Sequence, residues 1–321
     1  MAEIFRALLS LLEARRPVVV QTHDYPDIDA VASAWGLAEL LRLRGYSAES
    51  CYVGELRSRS LKTLIAELGI ELRPAQGLGS GPQVLVVDGS PANGNVSLAG
   101  GELVGVIDHH CKIGETEVPF LDLRPELAAC STMIRGYWEE SGSVPPRGIA
   151  TALLAGIQSD TDFLSSRCSD EDFAAYSALY RQGDWELASR IVRTVLDLRE
   201  LGLVVSAIED SIVREGLLFA FIREPCGQEA LGVVAEFALR AEELAVAVVA
   251  VRDEGGVHVS VRSKRSAISA FGLVRSALAG LGSGGGHAHS AGGLVPTGSD
   301  PGVEALRERF FLAAADAAAT S

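Results

Sequence analysis

The chain has 321 residues, which suggests two domains, and 48% apolar with 22% charged residues is ample for well-filled cores. A formal net charge of −14 opposes binding to a long polyanion, which ordinarily needs Lys and Arg against many phosphates, but not to a small phosphorylated ligand held locally. No apolar run reaches the roughly 18–20 residues that span a bilayer, and the five cysteines form no CxxC pair, which argues against a disulfide framework and a cysteine zinc site.

Residues 4–15 read as an amphipathic helix carrying Arg6 and Glu13, without the basic start, apolar middle and small-residue cleavage site of a signal peptide. A cytoplasmic protein with no membrane attachment is therefore expected. Val18, Val19 and Val20 predict a short strand that ends at His23. A helix follows over 29–44, with Val31, Ala34, Trp35, Ala38 and Leu41 on one stripe and Gly45 as its stop. A strand at 50–53 and a helix at 61–68 come next. The continuous apolar runs 84–87 and 103–107 are typical of parallel strands covered on both faces. Helices at 131–140 and 148–159 complete a doubly wound α/β domain, a fold that binds ligands beyond the carboxyl ends of its strands.

Helices over 170–181 and 185–201 lead out of this domain. The texture then changes to hairpins, one around Glu215-Gly216 and one around Gly255-Gly256. In the second, Val257, Val259 and Val261 share one face, and His258, Ser260 and Arg262 the other. A helix over 267–278 runs into a glycine-rich loop, Gly284-Gly285-Gly286-His287, and the alanine-rich tail 313–321 is expected to fray. The organisation is thus a domain at 1–185, a helical connector at 186–207 and a smaller α+β domain at 208–321.

Four acidic clusters sit at the ends of apolar runs: His23-Asp24-Tyr25-Pro26-Asp27-Ile28-Asp29, Val87-Asp88-Gly89-Ser90, Asp108-His109-His110 and Gln158-Ser159-Asp160-Thr161. Carboxylates and imidazoles converging at strand ends are what a two-metal phosphoryl-transfer site requires. Hard oxygen ligands mixed with imidazole suit Mn²⁺, and Mg²⁺ less well. This pattern reads as a hydrolase. Asp24 reads as a solvated turn residue, Cys111 as a small filler, His258 as a strand histidine, and Trp138 and Trp185 as packing residues.

Taken in order, His23-x-x-x-Asp27-x-Asp29, Asp88, Asp108-His109-His110, Asp160-Thr161 and the glycine segment with its following Ala291-Gly292 resemble the DHH/DHHA1 phosphoesterase superfamily, of the RecJ-like, nano-RNase and pAp-phosphatase type. The resemblance covers nearly the whole chain and implies a DHH domain, a DHHA1 domain and an active site in the cleft between them. It implies two Mn²⁺ ions, with Mg²⁺ or Co²⁺ as substitutes, that activate water for in-line attack on phosphorus. One ion would be held by His23, Asp27 and Asp88, and the other by Asp29, Asp88, His109 and Asp160, with Asp88 bridging. His110 is assigned to substrate positioning or leaving-group protonation, and Asp108 to orienting a ligand imidazole. Arg262, Ser263, Gly285, Gly286 and His287 match substrate-binding positions, and Ser131-Thr132 a small hydroxyl pair equally suited to helix capping. Two departures stand out: Tyr25 where Asn is more often expected, and Asp162 where Gly often follows the Asp-Thr pair. His289 fills a variable part of the glycine motif and reads as an exposed loop histidine.

The function this implies is Mn²⁺-dependent hydrolysis of short oligoribonucleotides, linear dinucleotides or 3′-phosphoadenosine 5′-phosphate, with long duplex DNA disfavoured and a homodimer compatible with the resemblance. A type II inorganic pyrophosphatase or exopolyphosphatase shares the first-domain motifs. Its second domain should carry a Ser-Arg-Lys cationic motif, of which Ser263-Lys264-Arg265 is a scrambled version. A non-catalytic nucleotide-binding module on the same fold is the third reading.

Overall fold

The computed structural model describes residues 3–56, 58–75, 79, 81–111, 117–166, 168–194, 198–264, 268–286 and 288–319. The chain divides into two compact units, Met1–Thr194 and Val195–Ser321.

The first unit is built on β1 (Val18–Gln21), β2 (Ala48–Tyr52), β3 (Leu72–Pro74), β4 (Gln83–Val87), β5 (Glu102–Asp108) and β6 (Phe120–Leu123). All neighbouring pairs are parallel, in the order β3-β2-β1-β4-β5-β6. The order reverses between β1 and β4, so their carboxyl ends border the crevice where open α/β sheets bind ligands. Among the described residues, seven α-helices accompany the sheet: α1 (Ile4–Leu11), α2 (Ile28–Leu43), α3 (Arg59–Leu68), α4 (Cys130–Glu140), α5 (Arg147–Thr161), α6 (Asp170–Gln182) and α7 (Trp185–Arg193). α2 contacts β1, β2, α4 and α5, and is buried from Ile28 to Ala38. A helix enclosed this way is apolar well beyond the single stripe read from the sequence, with Asp29 and Ser33 as its buried polar residues. Successive residues of β4 enter different cores: Leu85 and Val87 join the main cluster, and Val84 and Val86 a smaller one with Val96 and Val106.

α1 stops at Leu11, short of the expected 15. Beyond it the Gln83 side chain accepts from the Glu13 amide (2.8 Å) and donates to the Glu13 carbonyl (3.1 Å), which ties this stretch to β4 instead of to a further helical turn. The single helix expected over 185–201 is two, because Thr194 leaves helical geometry (φ −95°, ψ 71°). α7 packs on α3 and α5 of the first unit, so part of the stretch read as a connector belongs to that unit's core through Ala188 and Ile191.

The second unit contains α8 (Leu198–Glu209), β7 (Ile212–Arg214), β8 (Leu217–Ile222), α9 (Gln228–Ala238), β9 (Val246–Asp253), β10 (Gly256–Ser263), α10 (Ala270–Ala277), β11 (Ser283–Gly286), β12 (Ser290–Pro296) and α11 (Val303–Ala319). Its six-stranded sheet runs β11-β12-β10-β9-β8-β7, with only β8 and β9 parallel. Both faces are covered. Leu217, Phe219, Val257, Val259 and Val261 pack with α10 and α11, while Leu218, Ala220 and Ile222 pack with α8 and α9.

Two expectations are corrected here. The glycine-rich segment is not a loop at 284–286 but strand β11, paired antiparallel to β12 with Gly284 opposite Gly293 and Gly285 opposite Gly292. A Cβ on Gly284 would collide with Val274 and with the Gly292 carbonyl, so close strand-on-helix approach itself demands glycine there. The tail is helical to Ala319, held by burial of Phe310, Phe311 and Ala313 against the sheet's core.

Candidate metal centre

Each acidic cluster follows an element of the first unit that aims it at the β1/β4 crevice. His23 lies two residues beyond β1, Asp88 follows β4, Asp108 ends β5, and Asp160 lies in the last turn of α5. Asp27 caps α2: its Oδ1 accepts from the Ala30 amide at 2.9 Å, leaving Oδ2 facing His23. Asp29, in the first turn of α2, is fully buried. Its two oxygens accept from the amides of Cys130 (2.6 Å) and Ser131 (2.9 Å), so the free N–H groups that open α4 hold it in place.

The six residues expected to bind metal converge. His23 Nε2 is 3.7 Å from both Asp27 Oδ2 and Asp88 Oδ2. His109 Nε2 is 3.1 Å from Asp88 Oδ1 and 3.6 Å from Asp160 Oδ2. Ligand atoms of His23, Asp27 and Asp88 gather within 4.8 Å of one another, as do those of Asp29, His109 and Asp160, and those of Asp88, His109 and His110. Asp88 thus has one oxygen toward each side, as a bridging ligand needs.

The donor set fits divalent cations on a direct observation. Asp88 Oδ1 and His109 Nε2 are buried and lack hydrogen-bond partners among the described residues. Buried polar atoms are normally satisfied, and two that face each other unsatisfied mark a place for an ion. The histidines are also set in the ligating tautomer. A carbonyl only accepts, so Nδ1 of His23 must donate to the Asp24 carbonyl (2.8 Å) and Nδ1 of His109 to the Leu127 carbonyl (3.4 Å). In the neutral ring Nε2 then offers its lone pair to a cation.

Without a cation the crowded charges shift strongly. Burial opposes protonation of His23, but Asp27 and Asp88 outweigh it and raise its pKa to about 10. His109 is likewise raised to about 9, burial being overcome by Asp88 and Asp29. Burial, then the Asp88 charge, lifts Asp29 to about 7, and burial with the neighbouring carboxylates moves Asp160 well upward. Asp27 moves down, since His23 overrides its burial. His110 donates from Nδ1 to Asp108 Oδ1 at 2.8 Å, and Asp108 is fully buried. Burial works against the charged His110 ring, yet Asp108 and Asp88 raise its pKa on balance. Asp108 therefore orients the imidazole of His110, which itself belongs to one of the three ligand groups.

Backbone strain is concentrated around the centre. Asp88 has φ +58°, Tyr25 φ +55°, and Asp162, Phe163 and Leu164 have φ +44°, +55° and +65°. Such left-handed non-glycine residues cluster at functional sites. Asp162 closes α5 in the left-handed conformation, which explains why glycine suits that position and why aspartate, a residue that tolerates it, serves here. Asp24, read as a solvated turn residue, instead accepts from the Ser97 amide (2.9 Å) and hydroxyl (2.7 Å) and pins the loop after β4.

Sequence reading missed two contributors. A Cβ on Gly156 would lie 2.6 Å from Asp29 Oδ1 and overlap Ser131 Oγ, so α5 approaches the centre only because that position is bare. Asp172 is fully buried and binds the Ala128 amide (3.0 Å), the Thr132 hydroxyl (2.6 Å) and Ser169, which anchors the start of α4. The signal for Gly156 was present: a glycine four residues before Asp160, on the same helix face. Ser131 is not a capping residue, since Ala129 occupies the cap position; its amide serves Asp29 instead.

In the second unit, Arg262 Nε donates to Glu236 (2.9 Å) and Nη1 to Ser260 Oγ (3.1 Å), and Ser263 is buried, its carbonyl bonded to His289 Nδ1 at 3.1 Å. Gly285 and Gly286 are exposed on β11. His287 lies outside the described residues.

Comparison with known proteins places these features in a family. Residues 17–157 match the model of the DHH family N-terminal domain, and residues 215–319 that of the DHHA1 domain. An uncharacterized protein of Methanocaldococcus jannaschii is 29% identical over 304 residues, covering 92% of this chain and 62% of that protein. A probable manganese-dependent inorganic pyrophosphatase of Streptococcus suis is 33% identical over 153 residues, covering 45% of this chain and 48% of that one. The chain thus spans about half to three-fifths of the length of these relatives. In fold, it resembles the crystal structure of an exopolyphosphatase-related protein from Bacteroides fragilis, with a TM-score of 0.78 at 16% identity over 97% of this chain and 95% of that one. Two matched domain models in the expected order, over a convergent set of acidic and imidazole side chains, establish that this chain belongs to the DHH/DHHA1 phosphoesterase superfamily.

Proposed function

We propose that this protein is a Mn²⁺-dependent phosphoesterase that hydrolyses short oligoribonucleotides, linear dinucleotides or 3′-phosphoadenosine 5′-phosphate. The observation that carries the reading is the pair of buried polar atoms without hydrogen-bond partners among the described residues, Asp88 Oδ1 and His109 Nε2, within three overlapping ligand groups. Divalent ions bound there supply Lewis-acid activation of water and neutralise charge on the phosphoryl oxygens. His23, Asp27 and Asp88 form one ligand group, and Asp29, Asp88, His109 and Asp160 the other. Asp29 and Asp27 are fixed by backbone amides, so the site is organised before any ligand arrives. His110, its ring oriented by Asp108, is the proposed proton donor to the leaving oxygen. Arg262, Ser263, Gly285, Gly286 and His287 are the proposed substrate contacts of the second unit. For Arg262, this requires that its guanidinium exchange Glu236 for a phosphate.

A second reading, hydrolysis of pyrophosphate, is favoured by the similarity to the Streptococcus suis protein, which spans 45% of this chain. The match of residues 215–319 to the DHHA1 model weighs toward the first reading. The test is hydrolysis of 5′-pApA and of pyrophosphate by metal-stripped protein with and without Mn²⁺. Release of AMP only with Mn²⁺, abolished in His109→Ala and Asp160→Ala, is the expected result. Pyrophosphate turnover with no action on 5′-pApA would replace the first reading by the second.

A further inference from the structure

Tyr25 sits between two proposed metal ligands, two residues from His23 and two from Asp27. Its backbone is left-handed (φ +55°), a conformation that a bulky side chain rarely adopts, and the next residue is Pro26. The strained turn is clamped from both sides. The Tyr25 amide donates to the Val53 carbonyl at 3.1 Å, and the neighbouring Asp24 amide to the Asn95 carbonyl at 2.8 Å. Such over-determined strain beside a reaction centre points from conformation to use.

The side chain makes the use specific. The ring rests on the bare Cα of Gly54, where an added Cβ would stand 2.9 Å from ring carbons Cδ1 and Cε1. Gly54 is itself left-handed (φ +85°). Even so, 49% of Tyr25 stays exposed. An aromatic ring backed by a glycine, half in solvent and borne on the turn between two proposed metal ligands, is an arrangement that can stack a flat heterocycle. Asparagine, the residue expected at this position, tolerates the same backbone but offers no ring.

Resting on the phosphoesterase reading above, we infer that Tyr25 is a specificity-determining residue whose ring stacks on the nucleobase attached to the reacting phosphate. The substrate class is then a nucleotide, not a bare phosphate chain.

The test is calorimetric titration of AMP and of inorganic phosphate, in saturating Mn²⁺, into the wild type, Tyr25→Phe and Tyr25→Asn. The Asn variant preserves the left-handed turn while deleting the ring. AMP should bind the wild type more tightly than phosphate does, and Y25N should lose about tenfold in AMP affinity, within the range of a lost base–aromatic stack. Y25F should retain wild-type AMP affinity, and phosphate and Mn²⁺ should bind all three proteins alike. The inference is overturned if Y25N holds AMP as tightly as the wild type, if it loses AMP and phosphate equally, or if wild-type protein binds AMP no better than phosphate. Failure of the wild type to cleave 5′-pApA while this binding pattern holds would instead remove the diesterase reading and leave the stack in place.

Discussion

At the scale of single residues, the centre is a set of interacting acids and bases. His23 and His109, with ordinary pKa values near 6.5, are raised to about 10 and about 9, and Asp29, ordinarily at 3.8, to about 7. A group whose folded-state pKa is raised adds stability below its unfolded value and loses it as pH climbs through the folded one. Between pH 6 and pH 9 all three titrate in the same direction, so metal-free protein should become less stable as pH rises across this window. Urea midpoints of stripped protein should fall from pH 6 to pH 9, and saturating Mn²⁺ should remove most of that fall. The same linkage requires Mn²⁺ to displace protons, so at pH 7.5 titrations in buffers of differing ionisation enthalpy should register proton release. Absence of proton release would mean the imidazoles are not ligands. Gly156 belongs to this scale too. Gly156→Ala forces a Cβ into Asp29 and Ser131, and overpacking of this kind destabilises by about 1–3 kcal/mol. A weakened Mn²⁺ affinity should accompany the loss, in contrast to an overpacked site elsewhere in the core, where only stability would fall.

At the scale of elements, the start of α4 is the junction on which the centre depends. Its first amides hold Asp29, and Asp172 at the start of α6 holds the flanking Ala128 and Thr132 while Ser169 completes a capping box with it. Asp172→Ala would leave several buried donors without an acceptor, each costing about 1–3 kcal/mol. We expect a drop in unfolding free energy of about 3 kcal/mol by denaturant titration, together with lower Mn²⁺ affinity, although Asp172 is not a ligand. A variant with normal metal affinity would show that α4 keeps its position unaided. Most elements were legible in the sequence for local reasons. The apolar runs of β4 and β5, the stripe of α2 and the hairpin turns at Glu215-Gly216 and Gly255-Gly256 all carry their periodicity within a few residues. The elements that were misread had competing partners. Residues 13–16 were drawn away from helix by Gln83, and the glycines of β11 looked like loop because a strand without side chains has no alternation to read.

At the scale of the whole molecule, the net charge of −14 sets the electrostatics of substrate entry. A protein that grips a polyanion loses affinity steeply with salt because counterions are released. On the phosphoesterase reading proposed above, a net charge of −14 repels an anionic substrate overall while the bound cations and Arg262 attract it locally, so salt screens repulsion as well as attraction. The KM for 5′-pApA should stay level or fall as salt is raised from about 50 to 200 mM, a span over which phosphate-tracking proteins weaken sharply. A steep rise would mean that an extended basic track binds the substrate. None of the helices in the described residues is long and apolar enough to cross a membrane. By itself the sequence determined the family and the residues that gather at the β1/β4 crevice, since these Asp and His residues stand at or near the ends of apolar runs, where local spacing reveals them. Only the tertiary structure decided what holds those residues. The amides of Cys130 and Ser131 on Asp29, about a hundred residues apart in the chain, and the glycine beneath Tyr25 are contacts between distant segments; the glycine at 156 is visible in the sequence, but that its bare Cα faces Asp29 and Ser131 is decided only by the fold.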